Sequence, residues 1–250
     1  MTQRTRTAGL RRRAAATTAA LAMVALATGC GSGTATGGTA EPGQPSAAPT
    51  PKEALLAAVP DGTEGTIRFS GRDSSSTMSG VVDPTAKGTE LTTAIKDPDL
   101  GFTTTLSFRV VGEQAWMKVK FSDTKGLTGF PKLPDRWLKL DRSRIADAES
   151  APAYEGADVG NAGPLIEAAT KVEEQGESTY AGTIDLTSGE AAKVLDADEM
   201  TALGAQAAAV PFTAEVGAVG KLASLSLKVP AAGGRKAYEY LVQYRDYGTA

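Results

Sequence analysis

The chain has 250 residues, with 26 Lys and Arg against 29 Asp and Glu, one cysteine and no histidine. A net charge of −3 with no basic stripe excludes a nucleic-acid surface built on phosphate neutralisation. The lone cysteine excludes an intrachain disulfide or a thiolate zinc site, and the missing histidine removes Ser-His and Cys-His pairings and the commonest metal ligand.

In chain order, the first stretch sets the address. Arg4, Arg6, Arg11, Arg12 and Arg13 precede an uncharged small and apolar run from Ala14 to Thr28, too short to span a bilayer comfortably. This predicts a signal peptide over residues 1–29; Arg11-Arg12-Arg13 leaves a twin-arginine route open, but the residues after it do not follow that pattern, which favours the general secretory route. Its end, Leu26-Ala-Thr-Gly-Cys30, resembles the bacterial lipobox, with Ala27 where that pattern more often has Leu. The resemblance implies a diacylglyceryl thioether on Cys30 and attachment to the extracytoplasmic face of the cell membrane. Cleavage lowers the cations from 26 to 21 against 29 acidic residues, a charge of −8, so adhesion to anionic lipid by charge is not expected and the acyl anchor must supply it. Residues 30–51 are rich in Gly, Ser, Thr, Ala and Pro and carry no large apolar side chain, the composition of a tether spanning on the order of 25 Å.

Residues 52–250 read as one folded domain. Pro51 to Val59 predicts a short helix with Leu55, Leu56 and Val59 on its apolar face, stopped by Pro60-Asp61-Gly62. From Thr66 the period becomes two. Ile67 and Phe69 share a face; Thr77 to Val82, with Met78, and Gly88 to Lys96, with Leu91 and Ile95, repeat the theme. Phe102, Leu106, Phe108 and Val110 alternate with polar residues, then Met117, Val119 and Phe121 alternate with Lys118 and Lys120. Five strands joined by short turns predict an antiparallel meander with one wet face.

Arg136 to Leu140 is a further short strand, and the polar segment Asp141 to Asn161 is expected to be a crossing or a lid. Pro164 to Glu174 reads as a helix burying Leu165, Ile166, Ala169 and Val172 and ending at Gly176. Ser178 to Leu186 is a strand, and Gly189 to about Ala209 is helical with a break near Gly204. Pro211 to Gly217, with Phe212, and Lys221 to Val229, with Leu225 and Leu227, form a hairpin. Arg235 to Arg245 closes the chain with Tyr238, Tyr240, Val242 and Tyr244 on one side. Roughly ten strands and three helices predict an α+β fold.

Candidate chemistry is sparse. Ser122-Asp-Thr-Lys125 has Ser-x-x-Lys spacing, but the Lys-Thr-Gly and Ser-Asp-Asn elements that accompany it in penicillin-binding enzymes do not occur. Asp196-Ala-Asp-Glu199 lacks the glycine and spacing of a calcium loop. Glu173, Glu174 and Glu177 read as a solvated helix end. The reading is non-catalytic, with no cofactor and no metal.

The order of elements resembles the LppX/LprG-type cell-envelope lipoproteins, whose fold is similar to the LolA and LolB lipoprotein carriers. The features are the lipobox and tether, Met78-Ser-Gly-Val-Val-Asp-Pro84, Glu-Gln-Gly176 before a Tyr/Gly strand, and a closing Tyr-x-x-Tyr-Gly248. They cover essentially the whole mature chain. The resemblance implies an antiparallel half-barrel with two or three helices over its concave face, enclosing an apolar cavity that binds and transfers lipids or acylated glycolipids. The apolar face of the strands from Ile67 to Tyr240, together with Phe102 and with Leu165 and Ile166 of the central helix, would line that cavity. The partners implied are the lipid, the membrane and an export transporter. The other class of function open to this sequence is a structural or interaction lipoprotein recognising protein or glycan partners at the cell surface.

Overall fold

The computed structural model describes residues 48–145 and 151–250; the signal peptide, Cys30 and most of the tether lie outside the described residues. The first meander comprises β1 (Ile67–Arg72), β2 (Ser76–Asp83), β3 (Gly88–Lys96), β4 (Thr103–Val111) and β5 (Gln114–Ser122), with the two-residue β6 (Leu138–Lys139) beside β5. A second comprises β7 (Ala169–Gly176), β8 (Thr179–Ile184), β9 (Val210–Val216), β10 (Leu222–Val229) and β11 (Tyr238–Arg245). β1 pairs antiparallel with β11, Phe69 opposite Tyr244, which fuses the meanders into one open eleven-stranded sheet. Its order is β6-β5-β4-β3-β2-β1-β11-β10-β9-β8-β7. With α1 (Pro51–Ala58), α2 (Ala162–Glu167) and α3 (Ala197–Leu203) the architecture is an α+β half-barrel.

Local chemistry sets these boundaries. Thr50 and Glu53 form a reciprocal capping box at the start of α1, ahead of Pro51 in its first turn. Between β3 and β4 the Asp97 carboxylate accepts the backbone N–H groups of Asp99 and Leu100 at 3.0 and 2.7 Å, closing the turn. Two inward-facing glycines sit opposite phenylalanines. Phe69 pairs with Gly80 and Phe212 with Gly182. A Cβ on Gly80 would lie 2.6 Å from the Phe69 ring, and one on Gly182 2.9 Å from that of Phe212, so each ring lies across the bare backbone of its neighbour. Such aromatic cover permits glycine where a sheet must bend.

The helix predicted over Pro164 to Glu174 is corrected. Helix α2 ends at Glu167, and Ala169–Gly176 is strand β7, so Gly176 closes a strand. The apolar spacing 165, 166, 169, 172 fits a helix locally, but the ladder to β8 supplies backbone partners along the whole segment, across two register shifts. The Lys52 ammonium takes up the carbonyls of Glu167 and Ala169, at 2.8 and 2.9 Å, where helix gives way to strand. The alanine-rich stretch from Gly189 resolves into 3-10 turns at Ala191–Lys193 and Gly204–Ala209 around α3.

The strand register puts Ile67, Phe69, Met78, Leu91, Ile95, Leu106, Phe108, Met117, Val119 and Phe121 on one face. Tyr240, Leu227, Leu225 and Phe212 of the second meander continue that face. The face divides into two territories. Over β1 and β8–β11 it is sealed by α1, α2 and the segments around Leu186, Leu195 and Leu203, and Phe69, Phe212, Leu225 and Leu227 are all buried. Over β3–β5 only its end at Val110 and Ala115 is buried: Leu91, Leu106, Phe108, Met117, Val119 and Phe121 are only partly buried, and Ile95 is 40% exposed.

Candidate functional site: a partly roofed apolar face

Along β2–β4 the unsealed face is roofed by residues 151–161, the described end of the crossing expected between Asp141 and Asn161. Between sheet and roof lies a cavity of about 500 Å3, bordered below by Met78, Leu91, Phe108 and Val110 and above by Pro152, Glu155, Asp158 and Val159. That volume falls within the ~300–1,000 Å3 of small-molecule sites. A second cavity, of about 400 Å3, lies where β5 has lost its outer neighbour, because β6 pairs only with Trp116 and Met117. Val119 and Phe121 form its sheet wall, and Phe130, Pro131 and Leu133 of the following segment its other wall. Phe102, Phe121 and Phe130 form an edge-to-face and tilted cluster there, with centroids 5.0 to 6.3 Å apart.

The roof is held from β11. Tyr244 donates its hydroxyl hydrogen to the Asp158 carboxylate, and its oxygen accepts the Gly160 N–H at 3.2 Å. The Tyr240 hydroxyl donates to the Gly160 carbonyl at 3.1 Å. Asp158 also accepts the N–H groups of Ala162 and Gly163 at 2.9 and 2.7 Å, joining the roof to the first turn of α2. Gly160 packs flat on the sheet, since a Cβ there would come within 2.3 Å of Val242. Burial, with the nearby Asp158 and Asp73 charges, pushes Tyr240 up to about 12. Burial and Asp158 also push Tyr244 well above the ordinary tyrosine range. Both phenols therefore stay neutral donors at physiological pH.

Of the residues expected to line a cavity, Met78, Leu91 and Phe108 border the roofed one, and Val119 and Phe121 border the edge one. Leu106 and Met117 lie on the same face between them by register, and Phe102 joins the aromatic cluster. Ile95 lies at the exposed end of β3. Ile67, Phe69, Leu165, Ile166, Phe212, Leu225, Leu227 and Tyr240 are buried in the packed core and border neither of these two cavities. They fill the sealed territory, because a curved sheet buries the same periodic residues whether it encloses packing or space. Asp158, Gly160 and the lysines at the edge cavity were not anticipated; the Tyr244–Asp158 contact joins positions 86 residues apart, which no local pattern encodes.

Of the carboxylates weighed for chemistry, Asp196 and Glu199 have structural partners, and Glu173 and Glu174 lie on strand β7 instead of the expected helix end. Asp196 caps α3 by accepting the Glu199 N–H at 2.7 Å. Glu199, buried, accepts from Ser74 and Tyr238 at 3.2 and 3.1 Å and pairs with Arg235 at 3.3 Å. Ser122 ends β5 and Lys125 lies in the turn beyond, so the Ser-x-x-Lys spacing does not open a helix. Among the described residues no group of three or more Cys, Asp or Glu side chains is placed to hold a metal ion, and no helix is long and apolar enough to cross a membrane. No protein-family model matches the chain, and no curated protein matches it.

Proposed function

We propose that the chain is an exported lipoprotein, anchored through Cys30 to the extracytoplasmic face of the membrane, that binds lipids or acylated glycolipids on the open half of its sheet and passes them on without chemical change. The observation that carries this reading is the unequal sealing of one apolar face. A fold that needed only a core would cover β3–β5 as it covers β8–β11. Instead a row of large apolar side chains stays only partly buried beside a cavity of about 500 Å3.

An acyl chain fits that surface chemically, and the membrane anchor gives the task its economy. Exposing a sixteen-carbon chain to water costs on the order of 13 kcal/mol at about 0.8 kcal/mol per methylene, so unaided transfer between surfaces is slow. A tethered carrier that keeps the chain on an apolar wall lowers that barrier. The test is titration of the purified full-length chain with parinaric acid, an acyl chain that fluoresces when it leaves water. Saturable enhancement is expected, weakened by Leu91→Trp, which narrows the roofed cavity. Equal enhancement in the Leu91→Trp chain would place the acyl chain elsewhere, and no enhancement would remove the reading.

A further inference from the structure

We infer that the ligand is an anionic amphiphile held in one orientation, its head at Lys120 and Lys132 in the edge cavity and its acyl chain running along β4 and β5 toward the roofed cavity. This rests on the lipid-binding reading above and adds the head chemistry and the direction. The two cavities are ends of one track. Register places Phe108 opposite Met117 and Leu106 opposite Val119, with Phe121 next along β5. From the level of Phe108 to that of Phe121 is four residues, about 13 Å at ~3.3 Å per residue. The side chains between are apolar and half-buried.

The ends differ in charge. Glu155 and Asp158 border the roofed cavity, with no Lys or Arg among the described residues of its lining. Lys132, together with Lys120 from the opposite side of the bare β5 edge, borders the edge cavity, as does Asp135. Asp135 is engaged by Lys118 at 2.5 Å, a contact that holds its carboxyl below the usual range. Lys120 adds to that field from a distance, but neither Lys120 nor Lys132 forms a hydrogen bond or a close ion pair among the described residues. A carboxylate or phosphate head is thus repelled at the roofed end and met by two ammonium groups at the other, beside an aromatic cluster that takes the first methylenes.

The experiment is displacement of parinaric acid from the full-length chain by three probes: palmitate, hexadecanol and butyrate. Palmitate should compete more strongly than hexadecanol, and butyrate should not compete at the same concentration. In K120Q/K132Q palmitate should weaken about tenfold, which is about 1.4 kcal/mol shared between two exposed contacts, while hexadecanol stays within about twofold. Unchanged palmitate affinity in the double variant overturns the orientation while leaving the lipid-binding reading standing. Competition by butyrate assigns the lysines to a free-anion site and also overturns it. Failure of acid and alcohol alike to displace bound parinaric acid overturns both readings.

Discussion

Tyr244→Phe removes one oxygen atom from the contact that fastens the roof to the sheet. In the folded chain that hydroxyl donates to the Asp158 carboxylate and accepts the buried Gly160 N–H. A hydrogen bond to a charged acceptor contributes about 1.5–3 kcal/mol, and an orphaned buried N–H costs about 1–3 kcal/mol; Asp158 keeps its bonds from Ala162 and Gly163, which tempers the loss. The expected destabilisation is about 2–3 kcal/mol. For a domain of this size it lowers the melting temperature by about 5–10 °C. Urea unfolding followed by tyrosine and tryptophan fluorescence measures it as a shifted midpoint with unchanged slope. Tyr240→Phe removes one bond to the Gly160 carbonyl and should cost about 1 kcal/mol. Because both phenols meet on Gly160, the double variant should fall short of or exceed the sum by more than about 0.5 kcal/mol. A Tyr244→Phe loss under about 0.5 kcal/mol, or strict additivity with Tyr240→Phe, would mean that these two residues do not clamp the roof together.

Other expectations concern the same face. Tyr240 holds its proton up to about 12 when folded, against about 10 unfolded, so between those values the native state binds the extra proton and stability falls as pH rises; below about pH 10 this contribution is complete. Two pH units correspond to at most about 3 kcal/mol, visible as a melting temperature that drops across pH 10–12 in the parent and drops less in Tyr240→Phe. Phe212→Ala empties a filled core position and should cost about 3–5 kcal/mol, whereas Phe108→Ala, from the half-exposed territory, should cost much less and instead weaken parinaric acid; equal costs in calorimetry would contradict the division of the face. In the host, Cys30→Ala should abolish incorporation of labelled palmitate into the chain, and persistent labelling would place the anchor at another residue.

Period two was enough to read the first meander, because alternation from Ile67 to Phe121 is set residue by residue and the structure keeps it. The same reasoning missed β7, since positions 165 to 172 satisfy a helical spacing locally and only pairing with β8 decides between the two. The site was legible in part. Leu91 and Phe108 could be assigned to the inner face from alternation, but so could Leu225 and Phe212, and what separates them is the cover laid over the second meander by α1, α2 and distant loops. Asp158 escaped notice because its meaning lies in two tyrosine strand positions and a helix start that the chain brings together only on folding. Lys120 reads as the wet side of β5; it borders a cavity only because β6 stops at Leu138–Lys139 and leaves that edge bare.

If the open half of the face carries a lipid, that lipid should leave the membrane with the protein. Native mass spectrometry of the full-length chain, extracted gently from its host's membranes, measures this directly. The expected spectrum shows a non-covalent adduct of lipid mass beyond the covalent anchor, lost on collisional activation and reduced in the Leu91→Trp chain prepared in parallel. A parent spectrum showing the anchored chain alone, or an adduct retained at full occupancy by Leu91→Trp, would contradict it.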